Sequence, residues 1–202
     1  MSANPTIIFG APHGATFWGH NGLEVYLQAG KRSPVVPPGI LEGDYVRDLL
    51  LDIEENAPPS IDDYYLFLSP TETPPAARAK AVNKMIKAIG GDCLYIEPHV
   101  NASGMGQNWN NAEGHIVFHN EAGEEYAAQL SEQIDRHKIM DTTNRGIRRG
   151  WFTVLKEVNC PALLAEMFFM TNKAETLAAA TLEGQLGFCN GFTSFMGLQV
   201  AA

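Results

Sequence analysis

Cysteine is scarce in this chain: Cys93, Cys160 and Cys189 are the only three among 202 residues. They are odd in number, widely spaced and form no Cys-x-x-Cys pair, which argues against both a disulfide framework and a thiolate metal site. Buried free thiols are the expectation. Basic charge is also scarce, with 14 Lys and Arg against 23 Asp and Glu and a formal net charge of -9. Without a basic face, nucleic acid is not an expected partner. No stretch reaches the roughly 18 consecutive apolar residues of a membrane span, so no membrane insertion is expected. The opening MSANPTIIFGAPHG has neither a basic leader region nor a long apolar one, so no signal peptide is expected. Internal repeats, low-complexity segments and a linker to a second module are all missing, and a single domain over 1–202 is expected.

What is present is an ordinary globular balance, 45% hydrophobic and 18% charged, in a chain long enough for one full core and short for two. Strand-like apolar runs alternate with helix-like stretches. Strands are expected at Thr6 to Gly10, Tyr64 to Leu68, Cys93 to Ile96, Gly114 to His119, Trp151 to Leu155 and Ala162 to Met167. Helices are expected from Ile40 to Glu55, from Pro74-Pro75 to Ile89, from Glu121 to His137, and from Lys173 to Phe195 with a break near Gly184 to Gly191. This alternation implies an α/β three-layer sandwich with a mostly parallel sheet. A long irregular stretch, Gly14 to Gly39, exceeds ordinary loop length.

Ligands of open α/β sheets bind beyond the carboxyl ends of the strands. Here those ends carry Pro12-His13-Gly14, Pro98-His99-Val100-Asn101 and Ala165-Glu166-Met167. Glu166 is the most informative, because it interrupts the apolar run LLAEMFFM, and burying an ionised carboxylate costs several kcal/mol unless it is compensated. Either it pairs with an arginine such as Arg148, or it faces an active site where desolvation raises its pKa into a useful range. Glu42 continues the helical stripe of Val46, Leu49, Leu50 and Ile53 backward by four, so it points towards the buried side. Its plainer reading is a first-turn acid favoured by the helix dipole. Two histidines and a carboxylate are the protein ligands of many catalytic zinc sites, which keep a fourth position for water. A further carboxylate beside them serves as proton carrier.

These segments resemble the zinc-dependent N-acetylmuramoyl-L-alanine amidases (amidase type 3), in particular the compact forms found among phage endolysins. The resemblance is carried by IIFGAPHG, AGKRSPVVPPGILEGDYVRDLL, YIEPHVNAS and VLKEVNCPALLAEMFFMTN, in that order along most of the chain. It implies a sheet of about six strands, one Zn2+ held by His13, Glu42 and His99, and Glu166 as the catalytic residue. It also implies cleavage of the amide between N-acetylmuramic acid and L-alanine in peptidoglycan, by a monomer without a separate cell-wall-binding module. A phage endolysin would remain in the host cytoplasm until lysis. Competing readings are another zinc peptidase or carboxypeptidase of similar fold, and a non-catalytic wall-binding or tail structural protein.

The chain departs from the family pattern in places. Pro12 replaces the usual Gly before the first His, and Glu97-Pro98 replaces Ser-Ile before the second. Glu97 either orients a histidine from outside the ligand set or faces away. Glu24 is a rival to Glu42 as the ligand acid. Arg148, in RGIRRGW, is expected to meet a substrate carboxylate, and Asn101 and Trp109 to meet sugar or peptide. His20, His115 and His119 are lesser candidates, either lining the cleft or simply packing.

Overall fold

The computed structural model describes residues 5–13, 31–35, 39–59, 61, 64–68, 72–141 and 143–200. Glu24 and His20 lie outside these residues, as does most of the stretch from Gly14 to Gly39. The elements, in chain order, are β1 (Thr6–Gly10), α1 (Glu42–Asn56), β2 (Tyr64–Phe67), α2 (Pro75–Ile89), β3 (Cys93–Asn101), β4 (His115–His119), α3 (Glu124–His137), β5 (Asn144–Arg149), α4 (Thr153–Glu157), β6 (Ala162–Phe169), α5 (Lys173–Ala179) and α6 (Leu182–Val200). The six strands form one sheet in the order β2-β1-β3-β6-β4-β5. The first four of these are mutually parallel, whereas β4 is antiparallel to β6 and carries β5 parallel to itself. The expected α/β sandwich with a mostly parallel sheet is therefore the fold.

Strand alternation divides the core into two layers. Ile7, Phe9, Leu94, Ile96, Val117, Leu163 and Met167 turn to one face, where they meet the buried stripes of α1, α3 and α6. Ile8, Cys93, Tyr95, Ala162 and Leu164 turn to the other, against Ala79 and Val82 of α2 and Val154 and Leu155 of α4. On the first face Phe9 meets Phe192 of α6 edge-to-face, with ring centroids 6.0 Å apart. All three cysteines are free thiols; Cys93 and Cys189 are buried and Cys160 is half-buried.

Three expectations need correction. The segment Trp151 to Leu155 is not a strand: β5 ends at Arg149, and Thr153–Glu157 is a helical turn. A run of five residues is too short for periodicity to separate strand from helix. The actual strand, NRGIRR, carries the charges of a sheet edge, which blunt it against further pairing. The C-terminal helix is not broken near Gly184 to Gly191: α6 is continuous, and the chain turns earlier, at Ala180 and Thr181. Its glycines serve close packing instead. A Cβ on Gly187 would lie 2.9 Å from the His137 carbonyl oxygen, and one on Gly191 would lie 3.1 Å from Ile134 Cα, both on or beside α3. Finally, β3 runs on through Pro98 and His99 to Asn101, and β6 runs on past Glu166 to Phe169.

The extension of β3 positions the site. Strand β1 pairs with β3 only as far as Ile96. Among the described residues no strand pairs with β3 on the β1 side beyond that point, so the N–H that Pro98 lacks leaves no ladder bond unmade there. The Val100 N–H on that side is taken up by Glu42, whose Oε1 accepts it at 3.0 Å.

Candidate active site and metal centre

Glu42 is the first residue of α1, where an acid is favoured by the exposed amides of the first turn. Its carboxylate is buried and stands between two imidazoles. His13, just past the end of β1, places Nε2 at 3.2 Å from Glu42 Oε2. His99, on β3, donates from Nδ1 to Glu42 Oε1 at 3.0 Å. The two rings lie edge to face with centroids 6.0 Å apart. One ligand atom from each of His13, Glu42 and His99 lies within 4.8 Å of the others.

Each histidine is also backed by a carboxylate on its far side. His13 Nδ1 is 2.9 Å from Glu72 Oε1, which Lys31 Nζ also meets at 2.9 Å. His99 donates from Nε2 to Glu97 Oε2 at 3.0 Å. Glu97 is fully buried and paired with Arg78, itself only 4% exposed. Tyr95 adds a donated hydroxyl to Glu97 Oε1 at 3.0 Å. The two alternatives for Glu97 thus resolve: it faces His99.

Glu166 stands opposite His99 in the β3–β6 register. Its Oε2 is buried and has no hydrogen-bond partner among the described residues. The arginine pairing considered for it does not form; the buried carboxylate that pairs with arginine is Glu97. Burial drives the Glu166 carboxyl up to about 7; the positive charge of His99 opposes this and the negative charge of Glu42 adds to it. For Glu42, burial also acts upward, but the charges and hydrogen bonds of His13 and His99 outweigh it and hold the acid well below the usual range. Burial acts downward on His99, yet its hydrogen bonds to Glu42 and Glu97 raise it to about 10. His13 is raised as well, with burial opposing and Glu42 prevailing.

The donor set suits a divalent cation of borderline softness: two imidazole nitrogens and a carboxylate converge, with no thiolate. The partnerless Glu166 oxygen nearby is the second sign of a built site, because a native fold rarely leaves such an atom buried without a role.

The remaining candidates fall into place as follows. Asn101 ends β3 opposite Phe169, half-buried, at the same end of the sheet as His99. Trp109, also half-buried, lies in the segment that follows. That segment is fastened to the end of β6 by Asn110 N–H to Thr171 O at 2.8 Å and by Ser103 N–H to Thr171 Oγ1 at 3.1 Å. Arg148 belongs to β5 itself rather than to a loop. It is exposed, pairs with Phe118, and lies two strands from Glu166 at the level of Leu164. His115 and His119 pack rather than line the cleft: His115 is buried, its Nε2 3.2 Å from the Ser131 carbonyl, and His119 Nδ1 donates to the Asn120 carbonyl.

Sequence reasoning missed Glu72 and Arg78. Arg78 left one usable trace, a charge on the buried stripe of α2 beside Ala79 and Val82. Glu72 left none, because nothing in its neighbourhood along the chain marks it.

Several solved structures share the fold. An N-acetylmuramoyl-L-alanine amidase from Clostridium difficile 630 is 21% identical, with 99% of each chain covered and a TM-score of 0.75. The amidase AmiC2 of Nostoc punctiforme is 17% identical over 100% of each chain, TM-score 0.70. The catalytic domain of the CD27L endolysin targeting Clostridia difficile is 19% identical over 96% of each chain, TM-score 0.63. No curated protein matches the sequence. Residues 18–191 match the family Amidase_3, N-acetylmuramoyl-L-alanine amidase, a span that includes Glu42, His99 and Glu166 and begins after His13. The chain therefore belongs to the N-acetylmuramoyl-L-alanine amidase family.

Proposed function

We propose that this protein is a zinc-dependent hydrolase of the amide joining N-acetylmuramic acid to L-alanine in peptidoglycan. The observation that carries the reading is the convergence of His13, Glu42 and His99 beside the Glu166 carboxylate, whose buried Oε2 has no hydrogen-bond partner among the described residues. His13, Glu42 and His99 would hold the ion. When bound, it supplies a Lewis acid that acidifies water and polarises the scissile carbonyl.

The protein's own groups supply the proton traffic. Glu166, with a carboxyl pushed towards 7 by burial, is poised to accept a proton at Oε2 from the attacking water. The same oxygen returns it to the departing α-amine of L-alanine, so that the amine leaves neutral. Asn101 ends the strand that carries His99 and Trp109 lies in the segment that follows, and both would meet sugar or peptide. Arg148 shares the sheet face of Glu166, and its exposed guanidinium suits a stem-peptide carboxylate.

A phage endolysin is the setting that the AGKRSP segment supports, together with the shared fold of the CD27L catalytic domain. In that setting the protein waits in the host cytoplasm and reaches the wall once the membrane is breached.

Variants test the roles separately. Glu166→Ala is expected to keep stoichiometric zinc and lose hydrolysis, and His13→Ala and His99→Ala to lose bound metal. Full activity in the first, or unchanged metal content in both of the others, would sink the assignment.

A further inference from the structure

We propose that Glu97, clamped by Arg78 and Tyr95, is the positioning carboxylate that fixes the His99 ring for metal binding, leaving Nδ1 as the ligating atom. This rests on the reading of His13, Glu42 and His99 as a metal centre.

The ring of His99 has two nitrogens with different surroundings. Nδ1 faces Glu42, which also meets His13. Nε2 faces Glu97, at 3.0 Å, and no other partner among the described residues. Nδ1 would be the ring atom that holds a metal between the three residues, and Nε2 would keep its proton and donate it to Glu97. A carboxylate in this place sets both the tautomer and the angle of the ring and raises its basicity as a ligand.

Glu97 is itself held by three hydrogen bonds from two residues. Arg78 Nε meets Oε1 at 2.8 Å and Arg78 Nη2 meets Oε2 at 3.3 Å. Tyr95 donates its hydroxyl to Oε1. That hydroxyl reaches Glu97 over Gly10, where any Cβ would collide with it. Arg78 Nη1 donates onward to the carbonyls of Pro12 at 2.6 Å and Thr73 at 2.7 Å. Those carbonyls directly precede His13 and follow Glu72. One guanidinium thus ties together the backbone beside His13, the backbone beside its carboxylate partner, and the carboxylate that holds His99.

A buried arginine–glutamate pair adds little net stability compared with apolar packing, so its presence calls for another use. Its directional bond to a ligand histidine provides one.

The test measures zinc affinity by competition with a chromophoric chelator and reads the His99 nitrogens by 15N NMR in the zinc-loaded protein. Glu97→Gln should bind zinc roughly 10–100-fold more weakly than the parent chain. Tyr95→Phe, which keeps both buried charges and serves if Glu97→Gln fails to fold, should show a smaller loss in the same direction. The NMR spectrum should place the His99 proton on Nε2 and zinc on Nδ1. Parental affinity in both variants, or zinc on Nε2, overturns the inference while leaving the metal centre standing. A parent chain that binds no zinc overturns the metal centre and this inference together.

Discussion

Replacing Glu166 by glutamine should stabilise the protein while abolishing its chemistry, and the gain should depend on pH in a way fixed by the burial of the carboxyl. In the unfolded chain this group titrates near 4.5, and in the folded chain near 7. Below pH 4.5 both states hold the proton, so burial costs nothing electrostatically. Between 4.5 and 7 the unfolded chain releases the proton and the folded chain retains it, so the cost grows with pH. Above 7 it is fully incurred, at roughly 3 kcal/mol for about 1.4 kcal/mol per decade. Glutamine is isosteric and carries no charge at any pH. Glu166→Gln should thus match the parent at pH 4.5 and exceed it by roughly 3 kcal/mol at pH 8, or roughly 6–12 °C in Tm for a chain of this size. Urea or thermal unfolding in chelator is the assay, because a divalent cation nearby would itself favour the carboxylate. A Glu166→Gln protein no more stable than the parent at pH 8, or a difference that does not change with pH, would refute the reasoning.

Two further outcomes follow from the same surroundings. Gly10→Ala forces a methyl group onto the Tyr95 hydroxyl; it should cost roughly 1–3 kcal/mol of stability by overpacking and weaken zinc binding, whereas Gly91→Ala, with open space around it, should do neither. His99, raised to about 10 by its two carboxylates, contributes stability that is complete below 6.5 and lost as pH rises through 10. In chelator the unfolding midpoint should therefore fall across that window, and zinc uptake at pH 7 should release protons, as calorimetry in buffers of different ionisation enthalpy would show. A flat alkaline profile together with proton-free binding would contradict the ion-pair geometry.

Much of this site could be read from residue order and chemistry, and the gaps have physical causes. Glu166 was visible because an acid inside an apolar strand needs a reason. Glu97 carries the same signal in CLYIEPHV, but its partner Arg78 is 19 positions away on a helix, and only the fold brings them together. Glu42 was readable from the buried stripe of α1, and its meeting with both histidines follows from β1 ending before β3 does. Strand β5 was invisible because an edge strand rich in arginine has neither apolar alternation nor buried faces. The continuity of α6 was hidden by glycines that break helices in isolation but here admit the close approach of α3. The family resemblance carried the substrate, which no spacing of ligands specifies by itself.

The most direct test is the mass of the products released from purified peptidoglycan, with and without chelator and after zinc is restored. The expected products are glycan strands whose muramic acid lactyl groups are free carboxylates, and intact stem peptides with a free L-alanine amine, formed only when zinc is present. Cuts within the stem peptide, cuts between sugars, or amide cleavage indifferent to chelator would contradict the assignment of His13, Glu42, His99 and Glu166 to a zinc amidase centre.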